Sequence, residues 1–266
     1  MTGPIAPVGE PAPDRRVLRV TGSARESFLQ GLVTNDLKRL DHGLVYAAIL
    51  SPQGKYLFDF LLVPQPDAIL IDIAAPFADA LARRLTMYRL RADVAIAPTD
   101  IPVTCGLGPA PQGSFADPRH PALGWRAYGR AAAGPATIDW DVIRVEHLIP
   151  ETGIELIPDD TYILEAGFER LHGVDFRKGC YVGQEVTARM KHKTELRKGL
   201  ATVAVTGAAP VGTEITADGK PAGVLFSQSG GRGIAWLRFD RAGGQMRAGG
   251  ALLTLSEPAL TATPQG

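Results

Sequence analysis

Residues 172–198 concentrate side chains capable of chemistry: His-Gly-Val-Asp-Phe-Arg-Lys-Gly-Cys-Tyr-Val-Gly-Gln-Glu-Val-Thr-Ala-Arg-Met-Lys-His-Lys-Thr-Glu-Leu-Arg-Lys. Gly179 and Gly183 bracket Cys180 and Tyr181, and glycines there permit a tight turn and close approach of backbone to a ligand. Gln184 to Lys191 can run as a short helix with its positive end near the Cys180 loop. Arg177 and Lys178 lie just upstream. A helix N-terminus with nearby cations favours thiolate over thiol. Cys180 is therefore a candidate reactive or metal-facing thiol. The competing reading is a small buried residue in a turn, the commoner fate of a free cysteine. Cys105, inside an apolar run, reads as core on the same principle.

Arg189, Lys191, Lys193, Arg197 and Lys198, with His192, form a local basic cluster. Such a cluster can hold a carboxylate tail or phosphates. Its alternative is a solvated face before a domain boundary. No Walker loop or dinucleotide glycine fingerprint is present. Gly-Gly-Arg-Gly at 230–233 reads as a turn, because strand-like runs flank it and no helix follows. The five histidines, at 42, 120, 147, 172 and 192, show no paired metal spacing, so no intrinsic metal is expected. A Gly-x-Ser-x-Gly elbow is lacking.

Positioning these groups requires a scaffold. Val17 to Val20 reads as a strand. Ser23 to Glu26 reads as a capping box opening a helix from about Ala24 to Leu40. Tyr46 to Leu50 and Tyr56 to Val63 read as a strand pair about the turn Ser51-Pro52-Gln53-Gly54. Ala68 to Ile73 is a further strand, and Pro76 fits the first turn of a helix carrying Phe77, Leu81 and Leu85. Strands are expected at Val94 to Ala97, Ile101 to Cys105 and Gly124 to Tyr128. Helices are expected at Ile138 to Leu148 and near Tyr162 to Leu171. From Leu200 onward, short strands separated by Asp218-Gly219, Gly230-Gly231 and Gly249-Gly250 suggest a small antiparallel barrel or sandwich.

The length of 266 residues suits about two domains of roughly 150 residues. Apolar residues make up 45% and charged residues 21%, enough for a packed core. Lys+Arg and Asp+Glu are both 28, so there is no global basic field for nucleic acid. The apolar run Ala68 to Ala75 is interrupted by Asp72 and is too short to span a bilayer. No membrane partner is expected. Two cysteines exclude a disulfide-rich scaffold and a four-cysteine cage. Met1 to Pro13 is Pro-rich without an apolar or Arg-rich amphipathic stretch, which suggests a tail and a cytoplasmic location. The expected organisation is a disordered tail over 1–14, an α+β region over 15–195 and a β-barrel over 196–260.

Lys178-Gly179-Cys180-Tyr181-Val182-Gly183-Gln184-Glu185 matches without a gap the KGCYxGQE signature of the YgfZ-type proteins. These are folate-binding relatives of the glycine-cleavage T-protein (aminomethyltransferase) that assist iron–sulfur cluster maturation. Other segments resemble the same family in order. They are Gly22 with Phe28 to Asp36, Pro52-Gln53-Gly54-Lys55 with Asp59, Tyr88-Arg89-Leu90-Arg91, Arg144-Val145-Glu146 with Ile149-Pro150, Gly223-Val224, and Ala235 to Arg238. The resemblance covers about residues 15–258.

The resemblance implies an α+β, GcvT-like three-part ring. Two interleaved ferredoxin-related units and a C-terminal antiparallel β-barrel would surround a hole for tetrahydrofolate. It implies Cys180 and Asp59 as the chemically active residues. It also implies Glu146, Tyr88, Arg91, Lys178, Tyr181, Gln184 and Arg189 as folate contacts. A carboxylate such as Glu146 can accept both the N–H and the exocyclic amine of a pterin. The 189–198 cations could take the glutamyl tail, and Tyr88, Phe176 and Tyr181 are candidate stacking surfaces. Iron–sulfur client or assembly proteins would be the partners.

Two departures matter. The family's usual Glu-Ala-Gly-Ile-Pro reads Glu146-His147-Leu148-Ile149-Pro150, without the glycine. T-proteins carry two adjacent acids where this chain has Phe58-Asp59, and an aromatic ring cannot move a proton. The leading expectation is a tetrahydrofolate-binding accessory protein for iron–sulfur enzymes. The alternatives are a folate-dependent one-carbon transferase or demethylase, and a scaffold that has lost its ligand.

Overall fold

The computed structural model describes residues 8–129, 134–192 and 196–256. The chain divides into two compact units, each gathered from three segments. One comprises Met1–Leu50, Leu57–Ile138 and Arg170–Val182; the other comprises Ser51–Tyr56, Asp139–Glu169 and Gly183–Gly266.

The strands of the first unit are β1 (Val8–Pro11), β2 (Arg15–Thr21), β3 (Val45–Leu50), β4 (Tyr56–Gln65), β5 (Ala68–Ala74), β6 (Ala95–Thr99), β7 (Val103–Leu107), β8 (Phe115–Ala116) and β9 (Trp125–Tyr128). Its helices are α1 (Arg25–Gln30) and α2 (Ala78–Arg89). One sheet has the order β3-β4-β5-β2-β6 and the other β1-β7-β9-β8. Strand side chains alternate between faces. Phe58, Phe60 and Leu62 of β4 and Ile69, Ile71 and Ile73 of β5 accordingly join one core with Leu29 of α1 and Leu81 and Leu85 of α2. Each such side chain contributes roughly 1.5–3 kcal/mol by leaving water.

The same alternation sends Asp59 and Asp72 to the opposite face. Asp72 is fully buried there and is met by Arg15 at 2.7 Å, Arg126 at 3.1 Å and the Tyr128 hydroxyl at 2.9 Å. Arg126 continues to Asp117 at 2.9 Å, and Asp117 to Arg119 at 2.7 Å. The Arg119 guanidinium lies 5.6 Å from the Tyr46 ring centre. A buried ionic chain therefore joins the two sheets of this unit. Burial opposes the charge on Asp72 and Asp117, yet the arginines hold both carboxyls below the ordinary carboxylate range. Cys105 is buried as the sequence suggests, and burial pushes its thiol pKa up.

Three local expectations are corrected. The stretch read as a tail is structured from residue 8: β1 pairs with β7, and the Glu10 carboxylate accepts from the N–H groups of Thr137 and Ile138. The first helix is six residues long instead of running to Leu40, and Leu37–His42 forms a separate 3-10 turn. Ser23 does not cap it, because its N–H and hydroxyl both donate to Asp93, seventy residues away. Between the two, Asn35 and Thr34 draw the backbone out of the helix by bonding other strands and loops. No helix forms over 162–171; Gly167 turns at φ 78°, and successive turns bury Ile163, Phe168 and Leu171.

The second unit contains α3 (Trp140–Glu146), α4 (Gln184–His192) and six strands. These are β10 (Lys198–Thr206), β11 (Thr213–Ala217), β12 (Lys220–Ser229), β13 (Arg232–Arg238), β14 (Met246–Ala248) and β15 (Ala251–Leu255). They close into a barrel of order β10-β13-β12-β11-β14-β15, which leaves no open edge. Its hairpin turns use Asp218-Gly219 and Gly230-Gly231, all at positive φ, as two-residue hairpins require. Arg144 of α3 is buried against Asp141, Glu151 and Glu155 and donates to Ser227 of β12 at 3.0 Å, which fastens the helix to the barrel. The turn at Gly54 packs so tightly that a Cβ there would lie 2.8 Å from Val186 Cβ in α4.

Candidate functional site

The Cys180 loop is held by the segment that follows α1. The Thr34 hydroxyl donates to Gly173 O at 2.7 Å, and the Asn35 amide donates to His172 O at 2.7 Å. Asp175 N–H donates to Thr34 O at 3.0 Å. Arg39 binds the Asp175 carboxylate at 2.8 Å. His172 takes a left-handed conformation at φ 55°, which these bonds sustain.

Lys178 is 6% exposed. Its ammonium donates to Gln30 O at 2.7 Å, at the last residue of α1, and to Val33 O just beyond. It also lies 5.0 Å from the Tyr181 ring centre. Burial lowers its pKa to about 8, against the attraction of Asp36 and Asp175. Lys178 is therefore committed to its own protein. Tyr181 is buried, and Val182 packs on the core of the first unit.

Cys180 itself is exposed, so the buried-cysteine reading is excluded for it. Gly179 is exposed too; its φ lies outside the left-handed region, and an added Cβ would meet nothing within 4 Å. Neither strain nor packing within the chain demands a glycine at that position. An exposed sulfur beside a backbone stripped of side chain suits close approach by something else.

The remaining expected residues of this unit are dispersed. Asp59 is buried and accepts from the Tyr46 hydroxyl at 3.0 Å. Tyr88, near the end of α2, is half-buried against the helix-side core. Arg91 is exposed in the turn that follows. Phe58 is buried in the helix-side core, on the other face from Asp59.

In the second unit, Glu146 ends α3 with its side chain exposed. Leu148, where the family has glycine, keeps a glycine-like φ of 52°. Gln184 is the first residue of α4 and is half-buried. The basic cluster is largely neutralised: Arg189 pairs with Glu185 at 2.7 Å, Lys191 with Glu169 at 2.6 Å, and Lys198 with Glu165 at 3.6 Å. Arg197 and His192 are exposed, and Lys193 lies outside the described residues.

Sequence reasoning missed the ionic chain from Asp72 to Arg119. Its one available signal was Asp72 itself, a lone acid interrupting an apolar strand.

Residues 197–262 match the family model described as the CAF17 C-terminal beta-barrel domain. The iron-sulfur cluster assembly factor IBA57, mitochondrial, of Mus musculus is 30% identical over 85% of this chain and 76% of its own length. The human protein of that name is 29% identical over 87% and 78%. A homolog from Mycosarcoma maydis is 33% identical over 70% of this chain and 54% of its own length. Among solved structures, the glycine cleavage system aminomethyltransferase T from Bartonella henselae superposes with a TM-score of 0.75 at 15% identity, over 95% of this chain and 86% of that one. The relatives named here as IBA57 are described as mitochondrial, which overturns the cytoplasmic expectation. The expectation rested on the make-up of Met1 to Pro13 and on the shortness of the apolar runs, neither of which specifies a compartment.

Proposed function

The chain belongs to the family of IBA57-type iron–sulfur cluster assembly factors and has the GcvT-like α+β fold with a closed C-terminal barrel, and from that premise we propose that it is a tetrahydrofolate-binding accessory protein for iron–sulfur cluster assembly, of the YgfZ type, with Cys180 as its functional thiol. Its partners in this reading are iron–sulfur client or assembly proteins. The observation that carries the reading is the exposure of Cys180 beside an open Gly179, in a loop fixed from beneath by buried hydrogen bonds. A thiol kept at the surface by so many internal contacts is built to meet a partner.

Folate binding is supported by donor chemistry. Glu146 presents an exposed carboxylate at a helix end, suited to the paired donors of a pterin. Arg197 is an exposed cation for a glutamyl tail and His192 an exposed hydrogen-bonding side chain, with Arg189 able to exchange its exposed Glu185 partner. Tetrahydrofolate, when bound, supplies a carrier for one-carbon units. T-protein-like transfer is disfavoured because Phe58 is packed in the core where the transferases have a second acid.

The test is complementation. In cells lacking the protein, Cys180→Ala is expected to accumulate as folded protein yet leave iron–sulfur enzyme activity unrestored; full restoration removes the thiol from the function. Calorimetric titration with tetrahydrofolate is expected to give binding that Glu146→Gln weakens. An absence of heat at millimolar ligand would leave a scaffold without folate.

A further inference from the structure

We propose that Lys178 is a positioning residue for the Cys180 thiol, its buried ammonium clamping the thiol loop onto the carbonyl oxygens of Gln30 and Val33. The inference rests on the reading of Cys180 as the working thiol, but its measurements do not require that reading to hold.

The geometry is specific. A lysine two residues before an exposed cysteine would ordinarily extend into water, since its charge is costly to bury. Here the side chain turns inward and ends on the carbonyls of Gln30, the last residue of α1, and Val33, three residues beyond it. A cation at a helix C-terminus also meets the negative end of the helix dipole, although α1 is short. The Tyr181 ring, on the far side of Cys180 in sequence, lies 5.0 Å from the same ammonium. One cation therefore engages both residues that flank the Gly179-Cys180 pair: Lys178 through its own stem and Tyr181 through its ring. The titratable groups facing it are Asp36 from the segment after α1, Asp175 from its own loop, and Tyr181. Asp175 is in turn held by Arg39, and Asp36 by the Gln30 amide. Lys178 acts in this proposal by placement, through the carbonyls and the ring that its ammonium meets. It decides where the sulfur is.

The experiment uses the full chain and two readouts. Hydrogen exchange is followed at the 176–182 amides, and the rate of Cys180 alkylation by iodoacetamide is followed by mass spectrometry on the plateau where the thiol is ionised. Lys178→Met is expected to raise exchange in the loop about tenfold, the scale of losing a charge-assisted hydrogen bond, and to change the alkylation plateau. Exchange in β2 and β5 of the same unit should stay at the wild-type level. Lys178→Arg is expected to recover most of the difference. Should Lys178→Met fail to fold, Lys178→Gln, which keeps a neutral donor, reads the same loop. Wild-type exchange and alkylation in the neutral variant, a uniform rise across the unit, or an Arg variant no better than Met would overturn the proposal. Failure of the cluster-assembly reading would show separately, as restoration of activity by Cys180→Ala.

Discussion

The hydroxyl of Tyr46 donates to the carboxylate of Asp59 at 3.0 Å, and both residues are buried. The pair bridges β3 and β4 on the face turned away from the helices. The Arg119 guanidinium over the Tyr46 ring ties it to the ionic chain that joins the two sheets. Asp59, expected from family resemblance to be chemically active, thus stands at the end of a structural network. Tyr46→Phe is expected to lower unfolding free energy by about 1–2 kcal/mol, the cost of leaving a buried acceptor short of a donor. Urea denaturation measures it, and an unchanged midpoint would show the hydroxyl to be dispensable.

Acid should act through the same face. The carboxyls of Asp72 and Asp117 are held below their ordinary value of 3.8 by buried arginines. A depressed native pKa means that the unfolded chain binds protons first as the pH falls. The contribution to stability is therefore full above about pH 4 and is lost progressively below it. Asp117→Asn is expected to destabilise the protein at neutral pH by about 3–5 kcal/mol, because Arg119 and Arg126 lose a buried counter-ion. The variant should also show a shallower decline of the urea midpoint on acidification.

Two glycines should respond oppositely. Gly179→Ala adds a methyl group into open space at an ordinary φ and is expected to change stability by less than about 0.5 kcal/mol. It should nevertheless fail to restore iron–sulfur enzyme activity if a partner must approach the Cys180 loop closely. Gly54→Ala places Cβ 2.8 Å from Val186 Cβ at a φ of +74°. It is expected to cost about 2 kcal/mol or more. Thermal unfolding of both, beside complementation by the first, checks the contrast.

Leu90 is 86% exposed with φ 47° and ψ −108°. Ala92 N–H bonds Arg89 O at 2.8 Å, so residues 89–92 form a turn whose first central position favours glycine. Leu90→Gly relieves that strain and forfeits little burial. A stabilisation of up to about 1 kcal/mol is expected. A lower unfolding midpoint would show that the exposed leucine makes contacts of its own.

Much of this fold was legible because local signals and tertiary packing agree. The runs 46–50, 56–63 and 68–73, read as strands, lie within β3, β4 and β5, each strand extending one or two residues further. Asp218-Gly219 and Gly230-Gly231 make the hairpins that their composition implies. The turn at Gly54 and the helix opening at Gln184 were likewise readable. What failed was whatever depended on a distant partner. Ser23 looks like a cap until Asp93 claims it. Phe28 to Leu37 has helical spacing, but Asn35 and Thr34 bond strands and loops far along the chain. At the candidate site, the exposure of Cys180 follows no local rule, and the inward turn of Lys178 depends on two carbonyls more than a hundred positions earlier. The neutralised state of Arg189 and Lys191 was half visible. Glu185 sits four residues before Arg189, the ordinary helical pairing distance, whereas Glu169 could be placed only by the fold.

The bond from Lys178 to Gln30 spans 148 positions, and those from Thr34 to Gly173 and Asn35 to His172 span 139 and 137. Loops that long close late, because their entropy must be overcome before the contacts form. The Cys180 loop therefore takes its place only where residues 30–35 and 172–178 have come together, and a fragment of the chain lacking either segment is expected to leave the thiol without its seat.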